Sequence, residues 1–123
     1  MPLFGRKKPN IEKMEKKRDV KGLCKVLTHE NYHERCCATR ALGRIRDKSA
    51  VEHLIGALKD PNENVRGAAV RALERSSTSD DRAVEPLVEI LKDPDFAYRE
   101  TVVEVLGKIG DERAVNALNK IQI

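Results

Sequence analysis

The chain has 123 residues, of which 40% are hydrophobic, 36% charged and 3% aromatic, with no tryptophan and three cysteines. That length holds one domain, and the composition excludes an aromatic core, a disulfide framework and any apolar run near the ~18 residues of a membrane span. The net charge of +4 is uneven: residues 1–25 carry nine Lys/Arg against three Asp/Glu, and the remaining 98 carry fifteen against seventeen.

Residues 1–9, "MPLFGRKKP", read as a flexible basic tail, and 10–18, "NIEKMEKKR", as an N-terminal capping helix. The apolar start "MPLF" is too short for a secretory core, and its basic residues follow it rather than precede it. With reduced thiols as well, the expected compartment is the cytoplasm.

From residue 19 the chain repeats itself. Ala-Val pairs stand at Ala50-Val51, Ala83-Val84 and Ala114-Val115, in nearly equal steps along the chain, and one more step back reaches Asp19-Val20. A period of this size marks stacked supersecondary units. The units fall at about 19–46, 47–79 and 80–110, with a half unit at 111–123.

Each unit reads as two helices. The first carries apolar residues at Val20, Leu23, Cys24 and Leu27, then at Val51, Leu54, Ile55 and Leu58, then at Val84, Leu87, Val88 and Leu91, an i, i+3, i+4, i+7 stripe. Asp60-Pro61 and Asp93-Pro94 close that helix. Asn31, Asn62 and Asp95 are N-cap types for the second, whose stripe is Val65, Ala68, Ala69, Ala72 and Leu73, or Tyr98, Thr101, Val102, Val105 and Leu106. Gly110 suits a left-handed cap, and Arg46 in the same slot predicts a poorer one. Ser49 and Glu52 read as a capping box, and "SSTS" at 76–79 as a lengthened turn. Glu34 stands where Val65 and Tyr98 are apolar, so the first unit needs a substitute contact there, for which Tyr32 is the candidate. Asn119 and Gln122 predict a wet outer face for the last helix.

"VRGAAVRALERS" and "YRETVVEVLGKIGDERAVNAL" resemble HEAT repeats, particularly the short kind first noted in phycobilisome lyases. The resemblance covers nearly everything from residue 19 onward. It implies an all-α fold, a right-handed α-solenoid of antiparallel helix pairs with about three and a half repeats. It also implies that helices like "AVEPLVEILKD" line the concave side and those like "VRGAAVRAL" the outer side. A further implication is a structural ladder between turn aspartates Asp60 and Asp93 and the arginines Arg35, Arg66 and Arg99, with His29 standing where the first unit lacks its aspartate.

Chemistry has few candidates. Cys24, His29, His33, Cys36 and Cys37 gather zinc-ligand types within a short stretch. Cys24 and Cys37, however, fall on core positions of the repeat, and no CxxC spacing occurs. Neither a metal nor a cofactor is expected. Deoxyhypusine hydroxylase, an iron enzyme built from similar repeats, uses His-Glu pairs ahead of its "LG". In this register those positions hold Cys36-Cys37, Gly67-Ala68 and Glu100-Thr101, and none matches. No enzymatic activity is expected.

What remains is binding. The outward positions of the first helices form rows: Lys21, Glu52 and Glu85; Gly22, His53 and Pro86; Lys25, Gly56 and Glu89. Lys59 and Lys92 flank them. Such rows, held rigidly along the concave side of a solenoid, suit a protein partner, and the expected role is a non-catalytic scaffold or adaptor. A nucleic-acid partner for the basic N-terminal region is the alternative, although no aromatic residue lies between Arg6 and Lys21 for base stacking. A metal or redox role for the Cys/His stretch comes third. No membrane partner is expected. The short groove leaves self-association through an open end as a further mode.

Overall fold

The computed structural model describes residues 8–76, 80–94, 96–110 and 112–120. Every regular element among them is helical: α1 (Ile11–Lys16), α2 (Val20–Val26), α3 (Tyr32–Ile45), α4 (Val51–Ala57), α5 (Glu63–Ser76), α6 (Val84–Leu91), α7 (Arg99–Ile109) and α8 (Glu112–Lys120). Short 3₁₀ turns, Lys48–Ala50 and Asp81–Ala83, lead into α4 and α6. The hairpins α2–α3, α4–α5 and α6–α7 stack in chain order, with α1 against α2 and α3 at one end and α8 against α6 and α7 at the other. This is an α-solenoid.

One aliphatic seam runs through the stack. Leu23, Leu42, Leu54, Leu58, Leu73, Leu87 and Leu106 are buried, each stabilising by roughly 1.5–3 kcal/mol relative to exposure. Phe96 is the one buried aromatic among the described residues, and its ring lies 5.7 Å from that of Tyr98. Ile11 and Met14 of α1 cover the first unit's edge of the seam. At the other end α8 buries Ala114 but leaves Val115 45% exposed and Asn119 in water; Gln122 lies outside the described residues.

The two layers of helices are spaced unequally. In the second-helix layer α3 packs closely on α5, and α5 on α7. Small residues make this possible: a Cβ on Gly43 would lie 2.9 Å from Cβ and 3.0 Å from Cα of Ala72, and one on Gly67 would lie 2.4 Å from Tyr98 Cε2. The first helices α2, α4 and α6 stand further apart. Glycine and alanine at these contacts let the second-helix layer close.

Local chemistry explains the boundaries and corrects three expectations. Asn31 Oδ1 accepts from the His33 amide and Asn62 Oδ1 from the Asn64 amide, each at 2.8 Å. Asp95 lies outside the described residues, and α7 begins only at Arg99, with Tyr98 as its N-cap. Tyr98 therefore packs from the helix entrance rather than from within the helix. The Ser49–Glu52 capping box does not form. Asp47 Oδ1 instead accepts from both the amide and the hydroxyl of Ser49, at 2.8 and 2.7 Å, and these bonds hold the Asp47 carboxyl below its ordinary pKa. Nor does Tyr32 stand in for an apolar side chain at position 34: Tyr32 is 47% exposed, and Glu34 itself is buried, bordering a cleft with Lys8 and His33. Arg46 does cap its helix as Gly110 does, with φ 61° against 64°, each amide donating to the carbonyl four residues back at 3.1 Å. A side chain in that left-handed region is strained where glycine is not. Of "SSTS", only Ser76 is described; it ends α5 and donates to the Ala72 carbonyl at 2.9 Å.

Candidate functional site

The arginines that open the second helices bind the turns just before them. Arg66 donates to the Asp60 carbonyl at 2.8 Å, and Arg99 to the carbonyls of Leu91 and, at 3.0 Å, Asp93. Arg35 donates to the His29 and Glu30 carbonyls at 2.8 and 3.2 Å. It also spans to the next unit, where Nε and a terminal nitrogen grip Asp60 at 2.8 and 3.1 Å. Asp60 Oδ1 in turn accepts the Asn62 amide at 2.9 Å. In the first unit the imidazole of His29 does this last task, its Nδ1 accepting the Asn31 amide at 3.0 Å. The sequence marked the Asp–Arg pairing but not this substitution, which needs only an acceptor two residues before the cap.

A second set of links was not anticipated. Arg82, at the start of the third unit, lies 3.7 Å from Glu52 of the second and 2.6 Å from Asp80. Arg113, at the start of the half unit, lies 3.5 Å from Glu85 and 3.4 Å from Asp81 of the third. The hydrogen bonds from Arg82 hold the Asp80 carboxyl below its ordinary pKa. The signal was present: Arg82 and Arg113 occupy the same register position of successive units, as do Glu52 and Glu85.

Lys21, Lys25, Glu52, His53, Lys59, Glu85, Glu89 and Lys92 all reach solvent. Six of them border two clefts. Lys21, Lys25 and His53 border a cleft of about 850 Å³ between α2 and α4, together with Arg18 and Thr28. Lys59, Glu85 and Glu89 border a second, of about 640 Å³, between the end of α4 and α6, with Pro86 and Phe96 in its wall. Glu52 is drawn toward Arg82, and Lys92 pairs with Glu89 at 3.0 Å. The first cleft is basic on balance, with Arg18, Lys21 and Lys25 against Asp19 and Asp47. In the second, Asp60, Glu85, Glu89 and Asp93 stand with Lys59, Arg66 and Arg82, and Asp60, Glu85 and Glu89 are each paired from outside the cleft wall, by Arg35, Arg113 and Lys92.

Within the Cys/His stretch the fold sets His33 beside Cys37. Cys36 is buried with its thiol facing the Asn64 carbonyl at 3.7 Å, and His33 Nε2 lies 3.8 Å from Cys37 Sγ. Burial pushes the Cys24 and Cys36 thiols above their ordinary pKa. Among the described residues no three His, Cys, Asp or Glu side chains converge as ligands. Of the basic N-terminal region, Arg6 and Lys7 lie outside the described residues. Lys16 lies 3.5 Å from Glu12, and Glu15 takes Arg44 through two contacts of 2.7 Å, which hold its carboxyl below the usual value.

Stacked antiparallel hairpins, an aliphatic seam shared between units and arginine-to-turn links define a helical-repeat protein of the solenoid class. The profile of HEAT repeats matches residues 20–83 and 76–121, and the chain belongs to that family. No curated protein matches it. HEAT repeats generally serve as protein-interaction scaffolds. Among the described residues no helix is long and apolar enough to cross a membrane.

Proposed function

We propose that this protein is a non-catalytic adaptor that docks an extended segment of another protein along the exposed face of its first helices. The observation that supports this most is the pair of clefts, about 850 and 640 Å³, with a basic balance in the first and charges of both signs beside Pro86 and Phe96 in the second. A segment acidic at the end that meets the first cleft would find complementary charge there, which directs register and association rate. The walls are stacked helices, so little order is gained on docking and little entropy lost.

The test is affinity capture from a nuclease-treated lysate, comparing the native chain with the double variants Glu85→Lys/Glu89→Lys and Lys21→Glu/Lys25→Glu. Specific partners should be lost from both variants, with helix content and cooperative thermal unfolding retained by each. Partners retained by both would place docking elsewhere.

A further inference from the structure

The face of the second helices carries an arginine cluster that the proposed docking surface does not use. Arg40 and Arg44 stand one turn apart on α3, and Arg71 and Arg75 one turn apart on α5. The four border a hollow of about 220 Å³ floored by Gly43, Ala68 and Ala72, and Tyr98 closes one side. No carboxylate lines it.

Three features make this more than a solvated basic face. First, the close approach at Gly43 and Ala72 sets the two arginine pairs side by side, near the ~5.4 Å spacing of a helical turn along each helix. Second, only one of the four is neutralised: Glu15 holds Arg44, whereas Arg40, Arg71 and Arg75 form no ion pair with a described residue. Third, Arg71 is positioned in advance, its guanidinium carbon 5.7 Å from the centroid of the Tyr98 ring, and that ring is itself seated against Gly67.

We infer that this hollow binds a phosphoryl group, free or carried on a ligand. Guanidinium forks match the oxygens of a phosphate monoester, and several converging on one hollow give both charge and geometry. The dimensions favour a single phosphoryl or pyrophosphoryl group over a nucleic-acid strand. Tyr98 has Arg71 over its ring and Gly67 beside it, which obstructs base stacking. The cluster also stops after two units, because the next residues in register are Glu104 and Lys108.

The experiment titrates full-length protein, labelled for detection of arginine Nε–H and backbone amides by NMR. The probes are inorganic pyrophosphate, a phosphoserine peptide, its unphosphorylated form, and a single-stranded oligothymidylate. Saturable shifts at Arg40, Gly43, Arg71 and Arg75 with pyrophosphate would identify a free-anion site. Shifts with the phosphopeptide, but with neither pyrophosphate nor the unphosphorylated peptide, would identify a ligand-borne phosphoryl group. In either case Arg75→Ala should weaken binding about tenfold. Arg71→Lys, which keeps the charge and loses the fork, should also weaken it, with thermal unfolding measured on each variant. Lys120→Ala, exposed on α8 and outside the hollow, should leave it unchanged. No saturable shift at these residues, equal binding by the Arg75 variant, or oligothymidylate affinity that rises with length and exceeds the other probes would overturn the assignment.

Discussion

Four helical glycines, Gly43, Gly56, Gly67 and Gly107, should separate into two classes when each is changed to alanine. On propensity alone every Gly→Ala change in a helix should stabilise, by up to ~1 kcal/mol. Gly56 and Gly107 have nothing within 4 Å of the point where a Cβ would stand, so the propensity gain should appear there undiminished. Gly43 and Gly67 are different. At Gly43 the new carbon would sit 2.9 and 3.0 Å from Ala72 Cβ and Cα, against the ~3.5–4.0 Å of ordinary carbon contact. Relief requires α3 and α5 to move apart by roughly 0.5–1 Å along their tightest contact. At Gly67 the carbon would lie 2.4 and 2.8 Å from Tyr98 Cε2 and Cδ2, so the ring must leave its seat. Overpacking costs ~1–3 kcal/mol, which cancels or exceeds the propensity gain and leaves both changes at a net cost of about 0–2 kcal/mol. In a domain of this length each kcal/mol moves Tm by about 4 °C. Calorimetry on the four single variants should therefore show Tm raised at Gly56 and Gly107 and unchanged or lowered at Gly43 and Gly67. A rise at all four would refute the close packing of the second-helix layer.

Leu73→Ala removes three buried carbons from the middle of the seam and should cost about 2–5 kcal/mol; Glu104→Ala, exposed on α7, should stay within ~0.5 kcal/mol, and urea unfolding separates them. Arg46→Gly should stabilise by about 0.5–1 kcal/mol through relief of its positive φ, whereas Gly110→Ala should destabilise by a similar amount; thermal unfolding of the two variants checks the signs. Arg35→Ala strands Asp60 and two turn carbonyls together, so a loss of about 2 kcal/mol is expected in the same assay. Glu15 has its pKa lowered by Arg44, so its contribution is present above the ordinary value of 4.5 and disappears as pH falls through the lowered one. Native protein and Glu15→Gln should differ near neutrality by no more than ~1 kcal/mol, because solvent reaches both partners of the pair, and should converge in acid.

The repeat and its core were legible because they are local. The recurrence of the Ala-Val pairs, and stripes such as Leu54, Ile55 and Leu58, are properties of the sequence read alone, and those side chains are buried. Features that depend on distant neighbours were not. The spacing of the two layers rests on Gly43 meeting Ala72 from one unit to the next, and nothing in either helix alone announces which layer closes. The capping box failed because Asp47, two residues upstream, offers Ser49 a carboxylate. Glu34 looked like a core defect, yet it borders a cleft that Lys8, far back in the chain, helps to form. For the candidate surfaces, the exposure of Lys21 through Lys92 followed from periodicity, while their division between two clefts did not. The arginine cluster was written in plain view, Arg40 recurring as Arg71 and Arg44 as Arg75 one unit later. Its hollow emerges only when small residues bring α3 and α5 together.

The central claim is that consecutive hairpins share one seam and close tightly on the side of their second helices. Two nuclear Overhauser contacts test it directly: Gly43 Hα to the Ala72 methyl, and Gly67 Hα to the Tyr98 ring, each joining one unit to the next. Both should be strong in the folded protein at neutral pH. Their absence from a spectrum that otherwise shows intact helices would mean that the units do not stack as described.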